Sequence, residues 1–476
     1  MLAAISRALS RPPGTEFHTN CTSIGQFLRI RYGAGPRLVC MIRRCRSGVA
    51  VTMLSLAFAA LTITRASAEP ATSLSYPTTA SATRLSGYAF DACEAPPLTT
   101  MQAWKTASPY QGVGVYIGGV SRSCAQPNLT AAWVTATSLQ GWRIIPIYVG
   151  YQPPCTARPN VTKFTSTTAA TVGTADAAAA VLQAQAVGML PGSAIYGDME
   201  HYSVTDPDCR RAVLTYVSAW TKELHRLGYL AGMYANLFSG AKHFSEAYVS
   251  TAYARLDVLW IARWDGSTAL TGWAGIHNAQ WSNHQRGKQY RGDHDETHGG
   301  VKINIDSDRF DAPVATVGYA YQITSSANLN GRSGPKTSTP VVTTHAPGAT
   351  VTVVCQTPGT KIGTTSVWNK LTDGNYVSDY YVSTPSNTGY SAPLPRCAYP
   401  FQVTIPTLNK RIGPGPSYAI TGTLRSGALG WVTCQRSGST VGTTSVWDKL
   451  DDGKYVSDFY LATPSKTSYS PPIPRC

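Results

Sequence analysis

The sequence predicts an α/β fold, a (β/α)8 barrel, followed by two small all-β barrels. Three observations predict it. Between residues 86 and 321, eight short apolar runs alternate with helical patterns. Acidic residues recur at the C-terminal ends of those runs, where a (β/α)8 barrel carries its functional groups. Beyond residue 321, Gly363-Thr-Thr-Ser-Val-Trp-Asn-Lys-Leu returns as Gly442-Thr-Thr-Ser-Val-Trp-Asp-Lys-Leu, a tandem repeat with strand-like alternation and turn residues.

The first element is an export signal. Arg43, Arg44 and Arg46 precede an apolar run over 49–63, which ends at Ala66-Ser67-Ala68. A basic start, an apolar centre and a small-x-small exit make a secretory signal peptide over 41–68. The run is shorter than the ~20 residues of a spanning helix. Residues 1–40 have no periodic pattern and read as an extension upstream of a start at Met41; residues 69–85 read as a linker. The expected location is extracellular or wall-associated.

Removing 1–68 takes away nine arginines and one glutamate, leaving 31 basic and 24 acidic residues. That moderate basic excess suits an anionic surface such as a bacterial wall. No Lys/Arg run interleaved with aromatics points to nucleic acid. Of the 11 cysteines, Cys21, Cys40 and Cys45 precede residue 69, and eight remain. An even number in an exported chain implies disulfides. Without Cys-x-x-Cys or paired histidines, zinc is disfavoured. Roughly 400 residues exceed one ordinary core and require several domains.

The eight expected strands lie at 87–91, 113–117, 144–148, 194–200, 230–234, 258–262, 279–281 and 303–306, within a barrel domain over 86–320. The clearest helices lie at 129–140, 169–189 and 209–227; in the last, Val213, Val217, Trp220 and Leu224 recur at helical spacing. The fourth strand ends in Asp198-Met199-Glu200. Side chains two apart on a strand share a face, about 6.6 Å apart at ~3.3 Å per residue, in the range where two acids serve one glycosidic bond. Asp91 ends the first strand and Asp306 the eighth, with Asp308 just beyond. In a closed barrel strand eight neighbours strand one, so these acids can share one mouth. Tyr148, Tyr234, Trp264, Gln280 and Trp281 offer the aromatic faces and amides that a sugar needs. A phosphate site would want Gly-rich helix starts with Arg or Lys, which are missing. No cofactor is required.

Other clusters read differently. Asn283 to Lys302 carries His284, His294 and His298 with Asp293 and Asp295; irregular spacing and a Gly-rich setting favour a solvated loop over a metal site. His201, Ser203 and Asp206 are too close in sequence to form a hydrolase triad, and no nucleophile elbow is present. Asp residues just past a strand also cap helices or form turns.

Gly-Tyr-Ala-Phe-Asp at 87–91, Asp198-Met-Glu200, LWIARW at 259–264, AQWSN at 279–283 and INIDSDRF at 303–310 resemble the glycoside hydrolase family 25 lysozymes. CEAP at 93–96 and the tyrosine-bearing second strand resemble more closely the glycoside-hydrolase-like domain of unknown function 1906 (DUF1906) of exported actinobacterial proteins. Residues 283–302 have no counterpart in the lysozymes. The resemblance implies a TIM-type barrel that cuts peptidoglycan on the muramic acid side. Glu200 would then be the general acid, and Asp198 would orient the substrate N-acetyl group, stabilise the positive ring or serve a water. Asp91 and Asp306 would tune both and hold the sugar. Cys93–Cys124 and Cys155–Cys209 are expected to pin rim loops. A barrel that binds wall glycan without cutting it is the alternative.

In the tail, Cys355 and Cys397 recur as Cys434 and Cys476 at the repeat offset, so one bridge within each copy is expected, with bridges between copies left open. LNGRSGP at 329–335, LNKRIGP at 408–414, and the Trp-x-Lys-Leu and Tyr-Val-Ser-Asp signatures resemble bacterial SH3-like repeats, one over 322–397 and one over 398–476. That resemblance implies binding of wall peptides or glycans. Trp368, Trp447, Tyr380 and Phe459 are either barrel core or ligand groove. Neither copy carries clustered acids or histidines.

Overall fold

The computed structural model describes residues 80–476. The expected signal peptide at 41–68, the stretch before it and residues 69–79 of the expected linker lie outside the described residues. Residues 83–85, expected as linker, already belong to the first strand.

The α/β part runs β1 (Thr83–Asp91), α1 (Leu98–Ala107), β2 (Tyr110–Gly118), α2 (Ala131–Leu139), β3 (Arg143–Tyr148), α3 (Ala169–Ala186), β4 (Met189–Leu190), β5 (Ala194–Met199), α4 (Pro207–Arg226), β6 (Leu230–Asn236), α5 (Gly240–Glu246), β7 (Val258–Ala262), β8 (Arg286–His298) and β9 (Val301–Val314). All except β4 close an eight-stranded barrel. Helix starts follow their caps: Thr130 accepts from Trp133 N, and Asp206, just before Pro207, accepts from Asp208 N and Cys209 N. The four apolar positions expected on α4 are all buried.

An eightfold β/α repetition is not what forms. The described residues hold five α-helices, and β9 runs antiparallel to both of its neighbours, β8 and β1. Residues 279–281, expected as the seventh strand, lie in turns, with Trp281 at φ 46. The seventh barrel strand is β8, inside the stretch expected as a solvated loop. Its sequence gives no apolar alternation because only its first residues, through Gln289, line the barrel. The rest is a hairpin arm held by its ladder to β9. Gly299 and Gly300, both at positive φ, make that turn tight, so no helix intervenes and the last strand must reverse.

Strand alternation divides the barrel. One set of side chains faces the helices, with Phe90, Trp104, Trp142 and Trp220 in that core. The other set faces inward, where Leu85, Tyr196, Trp260 and Phe310 fill the lower interior. The Tyr196 and Trp260 rings sit 5.7 Å apart, and Trp260 and Phe310 5.0 Å. Gly232 permits this packing, since a Cβ there would lie 2.5 Å from the Tyr196 ring.

Past β10 (Thr316–Val317), which pairs with β4, come two antiparallel sheets of six strands. The first holds β11 (Tyr319–Gln322), β12 (Leu329–Arg332), β13 (Val341–His345), β14 (Thr350–Ile362), β15 (Thr365–Leu371) and β16 (Tyr376–Ser378). The second holds β17 (Tyr399–Gln402), β18 (Thr407–Arg411), β19 (Ile420–Arg425), β20 (Leu429–Val441), β21 (Thr444–Leu450) and β22 (Tyr455–Ser457), in the same order. The bridges are Cys355–Cys397 and Cys434–Cys476, one within each copy. Trp368 and Trp447 are buried and donate Nε1 to Thr360 O and Ser439 O, both at 2.8 Å. Tyr380 and Phe459 are half-buried. No helix among the described residues is long and apolar enough to cross a membrane.

Candidate active site

The period-two rule that fills the lower barrel continues upward. On β5, Tyr196 and Asp198 share the inner face, and Glu200 follows one residue past the strand. On β9, Phe310, Asp308 and Asp306 form the matching column. The antiparallel register of β1 with β9 sets Asp91 opposite Asp306, and the parallel register of β5 with β6 sets Asp198 beside Tyr234. Asp91, Asp198, Glu200, Asp306 and Asp308 therefore gather at one end of the barrel. A cavity of about 750 Å³ opens there, lined among others by Tyr116, Gln152, Arg158, Asp198, Glu200, Tyr234, Trp260, Trp264, Gln289 and Asp306.

Gln289 joins the cluster together. Its Nε2 donates to Asp91 Oδ2 at 3.0 Å and Asp306 Oδ2 at 3.1 Å, while its Oε1 accepts from Tyr234 OH and Trp264 Nε1, both at 2.9 Å. Tyr116 OH donates to Asp91 Oδ1 at 2.7 Å, and Trp260 Nε1 to Asp308 Oδ1 at 3.1 Å. Gln152, fully buried, works on the other pair through the main chain: Nε2 donates to Asp198 O at 2.8 Å and Oε1 accepts from Glu200 N at 3.0 Å. Asp198 Oδ1 is buried with no hydrogen-bond partner. Glu200 pairs with Arg158.

Burial of so many acids together favours their neutral forms. Asp91 is pushed up to about 7 by burial and by Asp306, against hydrogen bonds from Tyr116 and Gln289. Asp198 is held well above the carboxylate range by burial and by Glu200. Burial also raises Glu200, with the Arg158 guanidinium opposing it and Asp306 adding to it. Asp306 is raised by burial, offset by the Asp293 backbone N–H. Asp91 thus holds a proton up to near neutral pH, and the three cavity-lining acids hold theirs to higher pH than free carboxylates do.

The other expected site residues divide. Tyr234 and Trp264 line the cavity; Tyr148, Gln280 and Trp281 do not. Tyr148 points outward, its ring 6.0 Å from Trp220. Because 279–281 is not a strand, Gln280 hydrogen-bonds Ser245 and the buried Trp281 donates to Leu256 O. The rim amide is Gln289, hidden in the stretch read as a loop. Gln152, Tyr116 and Arg158 also escaped sequence reasoning: Tyr116 alternates inward on a recognised strand and was legible there, whereas Gln152 and Arg158 sit in a loop without periodicity.

Both expected rim bridges form, Cys93–Cys124 and Cys155–Cys209. His284 pairs with Asp311 at 2.8 Å, and His294 and His298 flank Glu296 at 3.0 and 2.9 Å. Among the described residues no group of three His, Cys, Asp or Glu side chains is placed to hold a metal. Asp206 caps α4 while Ser203 bonds Thr205, so these two do not converge on His201.

Among curated proteins, the chain is 34% identical over 90 residues to the uncharacterized protein YraI of Bacillus subtilis (strain 168), a match covering 17% of the chain and 76% of that protein. Among solved structures it is similar to the Mycobacterium tuberculosis Tat-secreted protein Rv2525c in complex with L-tartrate, with TM-score 0.33, 16% identity, and 48% of this chain and 96% of that one covered. It is also similar to the Clostridium perfringens spore cortex lytic enzyme SleM, with TM-score 0.36, 10% identity, and 78% and 95% covered. Both scores are low. A family model matches directly: over residues 102–310, which supply most of the barrel and every gathered carboxylate except Asp91, the chain is similar to the Rv2525c-like, glycoside hydrolase-like domain.

Proposed function

We propose that this chain is a secreted, cell-wall-directed glycoside hydrolase that cleaves peptidoglycan glycan strands in the manner of a muramidase, with the two tail repeats, read as SH3-like, binding the wall. The observation that carries this reading is the gathering of Asp91, Asp198, Glu200 and Asp306 around one cavity walled by Tyr234, Trp260 and Trp264. Aromatic faces stack on sugar rings, and acids with raised affinity for protons do the transfers. The family match over 102–310 supports the same class of chemistry.

Glu200, whose burial favours its protonated form, gives its proton to the glycosidic oxygen as the C–O bond breaks. Asp198, with one oxygen unpartnered, faces the substrate N-acetyl group or the positive ring. Water adds at the anomeric carbon, and its proton returns to a carboxylate. Asp91 and Asp306, bridged by Gln289, keep the neighbouring charge constant. A second reading, a glycan-binding barrel that does not cut, is favoured by one observation: Glu200 is paired with Arg158.

The test is release of reducing ends from purified peptidoglycan by the chain and by Glu200→Gln, with fragments identified by mass. Muramic acid reducing ends from the wild type, and at least about a hundredfold fewer from the variant, are expected of a general acid. Binding without release by both proteins would move the barrel to the recognition class.

A further inference from the structure

The cavity has walls of opposite charge. Asp198 and Glu200, at the end of β5, and Asp306 of β9 form one side. The other is made by the loops after β2 and β3, which carry Arg122 and Arg158, the two cations among the described residues that line it. These loops are bonded to each other, Ser121 N donating to Val149 O at 3.0 Å and Thr162 N to Ser121 Oγ at 3.3 Å. Each is fixed by a disulfide, and Thr156 Oγ1 donates at 2.7 Å to the carbonyl of His201, the residue after Glu200. The backbone of this basic wall is therefore held while the Arg158 side chain, half exposed, stays free to re-aim.

Arg158 now grips the carboxylate of Glu200. A planar guanidinium that holds one carboxylate will take another presented at the same place. The pairing favours the ionised form of Glu200, so Glu200 holds a proton more readily once the cation has left it. We propose that Arg158 is a specificity residue that exchanges Glu200 for a carboxylate of the bound glycan, so that an acidic saccharide, and not a neutral one, frees Glu200 as it binds. The guanidinium keeps an anionic partner before and after the exchange, so no uncompensated charge is created. Glu200, released beside Asp198 and Asp306, takes up a proton from solvent. This inference rests on the reading of the cavity as a glycan cleft.

The test is calorimetric titration of the full chain with three probes: a tetrasaccharide of alternating N-acetylglucosamine and N-acetylmuramic acid without peptide, its methyl ester, and the tetramer of N-acetylglucosamine. Wild type is expected to bind the acid about tenfold or more tighter than the ester, as a charge-assisted pair provides. Arg158→Gln, whose exposed position leaves folding intact by thermal melt, is expected to bind acid and ester alike. Glu200→Gln is expected to bind the acid more tightly than wild type does, since its arginine is no longer engaged. Equal affinities for acid and ester in the wild type, an acid preference that survives in Arg158→Gln, or no binding of any probe overturns the proposal. Cleavage is not read here: an Arg158-dependent preference in a barrel that cuts nothing sinks the hydrolase reading alone, and cutting without that preference sinks this one alone.

Discussion

Gln152 holds Asp198 and Glu200 by their main chain, so its loss would move both carboxylates without touching either. Gln152→Leu leaves a carbonyl and an N–H buried without partners, at a cost of about 1–3 kcal/mol each in stability. Turnover is expected to drop on the order of a hundredfold, since misplacing catalytic groups by an ångström costs that much. Kinetics beside a thermal melt check it, and undiminished turnover in the folded variant would count against a positioning role. The pH profile belongs to the same scale. Glu200 must carry a proton to act, so kcat/KM is expected to fall as pH rises through its raised pKa. Arg158 opposes that rise, so in Arg158→Gln the falling limb should move to higher pH. A limb that stays put or moves down would separate Arg158 from Glu200 in solution.

The two tail sheets make an internal comparison at the level of the element. In the first, Gln356 and Asn369 both donate to Asp379 Oδ1, at 2.9 and 2.8 Å. In the second, Asp448 replaces the asparagine, and Gln435 donates to both Asp448 and Asp458, at 2.8 and 2.9 Å, with both acids fully buried. Burial and their mutual repulsion push Asp448 well above the carboxylate range, and burial raises Asp458. A carboxyl with a raised folded pKa binds its proton more tightly in the fold than out of it. Its stabilising contribution is complete below the unfolded pKa of about 3.9 and is lost as pH climbs through the folded value. Asp448→Asn is therefore expected to raise stability at pH 8 by about 1–3 kcal/mol and to change little at pH 4. Asn369→Asp should carry the same pH sensitivity into the first sheet. Denaturant melts at the two pH values decide it; an Asp448→Asn gain that is equal at both would rule out the proton linkage.

At the scale of the whole molecule, the second tail sheet closes the end of the barrel opposite the site. Phe401, Leu429 and Trp431 join Leu85, Tyr196, Trp260 and Phe310 in one continuous core. Gln285 Oε1 accepts from Leu429 N at 3.2 Å, Tyr248 OH donates to Ser426 O at 3.2 Å, and Arg84 lies over the Trp431 ring at 4.4 Å. Trp431→Ala, at a fully buried position, is expected to cost about 3–5 kcal/mol. That loss should appear in the unfolding of the barrel itself, followed by near-ultraviolet dichroism. A barrel transition left unmoved would mean that sheet and barrel unfold independently.

The sequence by itself determined the elements whose periodicity or duplication is local. Strands β1, β2, β3, β5, β6 and β7, the amphipathic α4 and the 79-residue repeat are legible because burial writes itself into spacings of 2, 3.6 or an exact copy. So are Asp91, Asp198, Glu200 and Asp306, because acids ending apolar strands point the way their strand points. Tertiary structure alone decided how the barrel closes. The arm of β8 has no apolar face to read, since a ladder holds it, and the glycine pair at 299–300 reverses β9 within a stretch expected as a solvated loop. With that strand misplaced in the sequence reading, Gln280 and Trp281 stood in for Gln289. Gln152 and Arg158 meet their partners across 46 and 42 residues of chain in a loop whose conformation no local pattern encodes. Contacts of that kind are set by the closed barrel, which fixes what a loop can reach, and they leave no mark in the spacing of the residues that make them.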